Sequence, residues 1–517
     1  MNKKFLVGVD LGTSATKAAI YKRDGSLVTE KSVEVPIYYP TPGVVEQENE
    51  DFYTTAAETV RACISESGIE PEEIAAIAFD SQMAGVGMIG EDFEPVGRFD
   101  SWLDMRCQPF IQLMDDKAGK KVTRLTGCAP TCDHGPKMLW WKHEEPEIYE
   151  RIAKFVMPAG YVAGKLCNLR AEQAFIDYTF IHFSGFSDAR SQTWSNELCE
   201  IFDMDQSKLP EIVEPWRVIG EVSGQGSKNF GLAEGTIVAA GAGDTAANAL
   251  GAGIVKSGML FDVAGTAAVL AGCTDQFVAD TENKALLTMH SVIPDLWNPL
   301  AYIAGGGIAL RWIRDTIFKD NAAKMQEGKD IYDRITATAE TAPPGSEGLL
   351  FSPHFGGRIC PSTPEMRGAW IGLSWSHTQA HLVRSALESV AYEYAYYLKI
   401  LKGLLPELSV TEARAMGGGA KSDAWNQIKA DVLGIPYFRL KGSEFGTWGA
   451  AMIAGKAAGI IDDLAQHAER CAKTAENPKF PSEERHILYQ PIVSKYIEME
   501  NYLESFFSGK KKNESVL

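Results

Sequence analysis

Asp10-Leu11-Gly12-Thr13-Ser14, with Lys17 three residues on, is a set of residue types that can handle phosphate. A carboxylate at the end of an apolar strand can hold Mg²⁺, directly or through water. A Gly-Thr turn brings backbone N–H groups and a hydroxyl close to phosphate oxygens, because glycine has no Cβ to hold a ligand off. Lys17 either adds positive charge there or is a solvated strand lysine. A similar pattern returns about 250 residues later as Phe261-Asp262-Val263-Ala264-Gly265-Thr266-Ala267-Ala268. Either copy alone fits an ordinary hairpin turn. One copy per half points to two related domains gripping one polyphosphate from both sides.

Gly241-Ala242-Gly243-Asp244-Thr245-Ala246 follows an apolar strand and opens a helix, with Asp262 about 20 residues further on. That nearly matches a dinucleotide fingerprint. Asp244 argues against it, since a carboxylate would face the pyrophosphate at the helix end that attracts anions. Asp244 reads better as an N-cap or as a general base, and capping with one oxygen would leave the other free. Gly417-Gly418-Gly419-Ala420-Lys421-Ser422 lacks the P-loop spacing. It suits a flat ligand such as adenine lying against backbone, or is a plain tight turn. Gly305-Gly306-Gly307 is a further close-approach candidate.

Trp102, Asp104 and Arg106 alternate along a segment read as extended, so all three would face one way. The trio suits a polyhydroxy ligand, with its apolar face on the indole and its hydroxyls on Asp and Arg. The competing reading is a buried Asp–Arg pair beside a core Trp. Gln82, Met83 and Ala84 follow a strand and could line the same pocket.

The elements that must position these residues follow from periodicity. Residues 5–22 read as a hairpin, 51–67 as a helix and Ile74 to Phe79 as a buried strand. Loops dominate 81–109 and 127–136, and Lys137 to His143 opens a helix. Ile237 to Ala240 is a strand, followed by a helix from Thr245 to Leu250. In the second half, Ile308 to Phe318, His377 to Leu401, Asp423 to Leu433 and Gly446 to Ala458 read as helices, and Ala413 to Met416 as a strand. The tyrosines 392, 394, 396 and 397 read as core packing. Strands alternating with helices indicate α/β layers.

The chain has 517 residues, more than one core supports, since cores stop growing near ~250–300 residues. Two domains, 1–254 and 255–505, with a polar tail at 506–517, are the expectation, joined by a hinge with a cleft. A formal net charge of −18 argues against a broad nucleic-acid or anionic-membrane surface. Cys128 and Cys132, four apart, lack the second pair of a zinc site, and nine cysteines suit reduced thiols in the cytoplasm. No apolar run is long enough for a membrane helix.

Together the residues resemble the FGGY carbohydrate kinase family over nearly the whole chain. The start Asp10-Leu11-Gly12-Thr13, the segment Gly241-Ala242-Gly243-Asp244 and a signature in the second half carry the resemblance. The signature is Gly368-Ala369-Trp370-Ile371-Gly372-Leu373, then His381-Leu382-Val383-Arg384-Ser385-Ala386-Leu387-Glu388. A second signature around Pro136-Lys137-Met138-Leu139-Trp140 departs at His134, where Pro, Ser or Thr is usual. The resemblance implies an α/β chain of two actin-like (ribonuclease-H-like) ATPase domains flanking a central cleft that holds ATP and Mg²⁺. It implies Asp244 as catalytic base and Asp10, Thr13, Gly265 and Thr266 near phosphates and metal, with Gly12, Ser14 and Lys17 beside them. It sets Gly307 along the phosphates, Gly418, Gly419, Ala420, Asp423 and Asn426 near adenosine, and Trp102, Asp104 and Arg106 on the sugar. A homodimer is plausible by resemblance only. Within the family the chain is most similar to xylulokinases, which implies phosphorylation of D-xylulose. Ala84 stands where they usually carry a sugar-contacting His, which leaves open another ketose or polyol, such as ribulose, a branched pentulose or a tetritol.

Overall fold

The computed structural model describes residues 3–319, 330–442 and 444–509. The tail expected to fray lies outside the described residues from 510 on. The first sheet contains β1 (Phe5–Leu11), β2 (Ala15–Lys22), β3 (Leu27–Glu34), β4 (Ile74–Ser81), β5 (Val218–Glu221), β6 (Ile237–Ala239) and β7 (Ala242–Gly243), in the order β5-β6-β4-β1-β2-β3, with β7 also on β4. The second contains β8 (Met259–Ala264), β9 (Ala268–Gly272), β10 (Leu287–His290), β11 (Trp297–Ile303), β12 (Glu412–Met416) and β13 (Tyr437–Arg439), ordered β10-β11-β9-β8-β12-β13.

Both sheets share one pattern. A three-strand antiparallel meander (β1-β2-β3; β8-β9-β11) continues through its first strand into two parallel strands (β4 and β6; β12 and β13). The parallel strand β4, Ile-Ala-Ala-Ile-Ala-Phe-Asp-Ser, is buried at every position, as expected for a strand covered on both faces. The helices that matter for the site are α1 (Asn49–Ser67), α2 (Gln108–Thr126), α3 (His134–Glu144), α4 (Asp244–Gly251), α5 (Gly306–Thr316), α6 (Gln379–Leu404), α7 (Asp423–Leu433), α8 (Phe445–Ala457) and α9 (Glu483–Ser508).

Helix α8 lies late in the chain, yet it packs on β1, β4 and α4 of the first half. Its approach is close because glycines face it: a Cβ on Gly8 would sit 1.8 Å from the Thr447 carbonyl, and one on Gly251 2.0 Å from that of Phe445. Helix α6 buries Tyr392, Tyr394 and Tyr397, with Tyr396 half-buried, so that stripe is core. Among the described residues no helix is long and apolar enough to cross a membrane.

Candidate active site

Strand pairing delivers three carboxylates to one place. Asp10 and Asp80 are register partners at the ends of the parallel strands β1 and β4. Asp80 also pairs with Ala242 on β7, two residues before Asp244. Asp80 is fully buried, and apart from the Asp10 carboxyl, with which it shares a hydrogen bond, no group reaches its oxygens. Asp10 and Asp244 are partly accessible. Burial raises the Asp10 carboxyl to about 7, with further elevation from the Asp244 charge and an opposing pull from Lys17. Burial, then the charges of Asp10 and Asp244, push Asp80 well above the ordinary range. Burial raises Asp244 to about 6, against hydrogen bonds from Thr245.

Such mutual repulsion is what a divalent cation would relieve, and oxygen-only donors suit Mg²⁺. The nearby ammonium, Lys17, is held 3.1 Å from Glu444. Asp10 and Asp80 offer oxygen-only donors of the kind Mg²⁺ takes, on adjacent strands in register. Asp80 escaped the sequence reading. Its sign was a polar residue ending an otherwise apolar strand, one that only pairing with Asp10 makes meaningful.

Asp244 is not the N-cap. Gly243 takes that position, and Asp244 is the first residue of α4. Its Oδ1 accepts from the Thr245 N–H at 2.5 Å and from Thr245 Oγ1 at 3.0 Å. The helix thereby fixes one oxygen and leaves Oδ2 outside those bonds.

Trp102, Asp104 and Arg106 do not lie on an extended segment. Residues 101–106 turn, with the Asp104 N–H on the Ser101 carbonyl at 3.0 Å, so Trp102 points away from Asp104 and Arg106, whose side chains meet each other. Trp102 is 41% exposed and donates from Nε1 to Thr13 Oγ1 at 2.8 Å. Asp104 is fully buried, and its Oδ2 accepts from the Val45 N–H at 2.7 Å. Arg106 grips Asp104 through Nε (3.0 and 2.9 Å) and Nη2 (2.8 Å), reaches Glu46 at 2.5 Å, and lies over the Trp140 ring at 4.9 Å. The buried Asp–Arg pair is thus real, and it braces the loop that presents Trp102.

Gln82 connects the two clusters. Thr13 Oγ1 donates to Gln82 Oε1 at 3.3 Å, and Gln82 Nε2 donates to Gln47 Oε1 at 2.8 Å. Gln47 returns to the Thr13 carbonyl at 2.9 Å. Met83 packs against Gly243, where a Cβ would lie 2.6 Å from its Cε. Ala84 has φ 61°, a left-handed conformation unusual outside glycine and a common mark of functional loops. His134 is buried at the start of α3 with both ring nitrogens unpartnered.

In the second half, three glycine turns converge at the strand ends of one sheet. The Gly307 and Ile308 N–H groups donate to the Gly265 and Thr266 carbonyls at 3.1 and 3.0 Å. A Cβ on Gly307 would sit 2.2 Å from the Gly265 carbonyl, and one on Gly419 2.7 Å from Ala264 Cβ. Thr266, Gly418 and Asp423 are exposed. Asn426 is buried; its Nδ2 donates to the Ala420 carbonyl at 2.8 Å while Oδ1 has no partner. An unsatisfied amide acceptor beside an open glycine turn fits the amino edge of a nucleobase.

Two family models match the chain. One, described as the N-terminal domain of the FGGY family of carbohydrate kinases, covers residues 5–251, and the C-terminal domain of the same family covers 262–458. A xylulose kinase of Staphylococcus epidermidis is 27% identical over 501 residues, 96% of each chain. A gluconokinase of Bacillus subtilis is also 27% identical, over 98% of this chain and 97% of its own. The crystal structure of a ligand-bound xylulose kinase from Lactobacillus acidophilus superposes with a TM-score of 0.89 at 24% identity, over 98% of this chain and 99% of that one.

Proposed function

The chain belongs to the FGGY family of carbohydrate kinases and is an ATP-dependent sugar phosphotransferase, and on that premise we propose that its acceptor is a neutral ketopentose, D-xylulose first. The observation that carries this reading is the state of the cations beside the 101–107 loop. Arg106 is consumed by Asp104 and Glu46, and buried Lys137 is engaged by Cys132. A gluconate carboxylate would have to compete with Asp104, Glu46 and Cys132 for these engaged cations, whereas a ketose needs no cation. Ala84 supports a second reading, another neutral ketose or polyol, because a methyl in a left-handed turn offers no side-chain hydrogen bond.

In the mechanism, Asp244 Oδ2 takes the proton of the attacking sugar hydroxyl as its oxygen meets the γ-phosphorus in line. The Thr245 bonds to Oδ1 hold the carboxylate in orientation. The Gly12-Thr13 and Gly265-Thr266 turns donate to equatorial phosphate oxygens, with Ser14 and Lys17 flanking the first. Gly307 borders the phosphates, and Gly418, Gly419, Ala420, Asp423 and Asn426 receive the adenosine. Asp10 and Asp80 would hold Mg²⁺, which supplies charge neutralisation across the phosphates. Trp102 offers its ring to the sugar, with Gln82, Met83 and Ala84 lining the pocket, while Asp104 and Arg106 hold the loop. The halves divide at 254/255 in this reading, and nine free cysteines accord with a cytoplasmic setting.

The test is sugar-dependent ADP release across D-xylulose, L-xylulose, D-ribulose, L-ribulose, erythritol, glycerol and gluconate. A dominant response to D-xylulose is expected. Another neutral acceptor would favour the second reading, and a dominant response to gluconate would overturn both.

A further inference from the structure

Cys107 and Cys132 sit 3.5 Å apart, sulfur to sulfur, between the first turns of α2 and α3. They are 25 residues apart in sequence, so the fold makes the pair. Cys107 occupies the N-cap position of α2, and Cys132 immediately precedes the N-cap of α3. Both helix ends place positive potential on the sulfurs. The ammonium of Lys137, buried on α3, lies 3.4 Å from Cys132 Sγ. Cys132 is partly exposed, whereas Cys107 is fully buried. A second contact ties the pair to the 101–107 loop: the Cys132 thiol donates to the Asp104 carbonyl at 2.7 Å, a bond that its thiolate gives up.

We infer that Cys132 and Cys107 form a peroxide-sensitive thiol pair, in which Cys132 is oxidised first and Cys107 resolves it to a disulfide that disables the sugar-binding loop. The roles follow from surroundings. The hydrogen bond offered by Cys107, then the Lys137 charge, lower the Cys132 thiol to about 6. Each of the other eight cysteines is raised, Cys107 first by its bond to Cys132 and then by burial, the other seven by burial. The thiolate is the nucleophile. The Cys132 sulfur attacks one peroxide oxygen, the O–O bond breaks, and the departing hydroxide takes a proton to leave as water. The sulfenic acid is then attacked by the Cys107 sulfur. The S–O bond breaks, and the released hydroxide takes the Cys107 proton, giving a second water. Two thiols and one peroxide become a disulfide and two waters; sulfur is oxidised by two electrons and the peroxide is reduced by two.

Closing from 3.5 Å to the ~2.05 Å of a disulfide draws the 101–107 loop and the 128–133 segment together. The Asp104 carbonyl contact is then lost, and Trp102 shifts relative to Thr13. Inhibition should therefore appear in the sugar term.

The experiment exposes the reduced full-length enzyme to hydrogen peroxide and follows activity, intact mass and disulfide-linked peptides, with dimedone as a sulfenic acid trap. The expected result is a loss of two hydrogens, a Cys107–Cys132 linked peptide, a raised sugar KM with little change in nucleotide affinity, and recovery with dithiothreitol. Cys107→Ser should keep its basal activity and accumulate the dimedone adduct at Cys132. Cys132→Ser should lose activity to peroxide at least roughly ten-fold more slowly, since even an ordinary thiol is only a few per cent thiolate at pH 7 and the remaining thiols are raised above that. Linkage of Cys132 to Cys128 instead, unaltered sensitivity in Cys132→Ser, or a wild type that keeps both thiols would each overturn the inference. Should a serine variant fold poorly, peptide mapping of the wild type alone still decides between these outcomes.

Discussion

Asp10 stands two residues before its Gly-Thr turn, and Asp262 stands three before its own. Side chains alternate faces along a strand, so a single residue of offset sends the two carboxylates to opposite sides of otherwise equivalent sheets. Asp10 meets Asp80 across β4 and remains without a strong cation. Asp262 points into the core, where Lys429 closes on it at 2.5 Å and the Tyr394 hydroxyl at 2.7 Å. Both members of that ion pair are fully buried. The same strand-turn-strand unit therefore contributes to a partly accessible carboxylate cluster in one half. In the other it is a sealed ion pair that pins α6 and α7 to the sheet. Local resemblance of the two repeats does not make their carboxylates equivalent; the register decides which face each one takes.

Substitution can separate the two uses. The largest effect belongs to the open cluster: Asp244→Asn should lower kcat by roughly 10²- to 10⁴-fold, the worth of a general base, with nucleotide binding retained in a titration. Retained turnover in that variant would remove Asp244 from the mechanism. Asp262→Asn should do the reverse. It leaves the Lys429 ammonium buried and uncompensated, which costs about 3–5 kcal/mol of stability, visible as a lower denaturant midpoint with turnover per folded molecule unchanged. Asp10→Asn should not destabilise the cation-free protein at neutral pH, because it removes a charge from a repelling cluster. It should weaken Mn²⁺ or Mg²⁺ binding measured by titration. Equal destabilisation by Asp10→Asn and Asp262→Asn would erase the contrast.

The contrast also has a pH signature. Asp10 and Asp244 are raised above the ordinary 3.8, to about 7 and about 6. Between pH about 4 and 7 the folded chain binds more protons than the unfolded one, so stability falls as pH rises through that window. The penalty is absent below the ordinary value and complete above about 7. A cation-free denaturation series should show this slope, and Asp10→Asn or saturating Mg²⁺ should flatten it. Turnover should rise through pH about 6 as Asp244 loses its proton, so activity climbs where cation-free stability declines.

Much of this arrangement was legible in the chain because it rests on local chemistry. Periodicity marked both hairpins and helix α7, whose observed span, Asp423–Leu433, matches the expected one. Glycine types marked the turns. What was not legible depends on distant pairing. Asp80 gains meaning only beside Asp10 in register. The loop at 101–106 alternates in type as a strand would, but Asp104 grips Arg106 from within the loop and Glu46 captures it from another segment, which leaves it turned inward. Helix α8 reads as a small-residue helix of the second half, and nothing local says that Gly8 and Gly251, far upstream, are shaped to receive it.

The smallest expected effect concerns the turn each hairpin presents. Thr266 is exposed, whereas Thr13 is held between Trp102 Nε1 and Gln82 Oε1, so the first turn is wired to the loop proposed to bind the sugar. Trp102→Phe keeps an aromatic face for the sugar and deletes only the N–H donor. A hydrogen bond of this kind is worth about 1 kcal/mol, or roughly five-fold. The sugar KM should rise by about that factor with the nucleotide KM unchanged. Thr13→Val removes the acceptor, and the Gln82 bond as well, so its single effect is ambiguous. The double variant resolves this: if the Trp102–Thr13 bond couples the two sites, Trp102→Phe should cost almost nothing further in the Thr13→Val background. Additive effects would mean that the two groups act independently, and the wiring between phosphate turn and sugar loop would have to run through Gln82 alone.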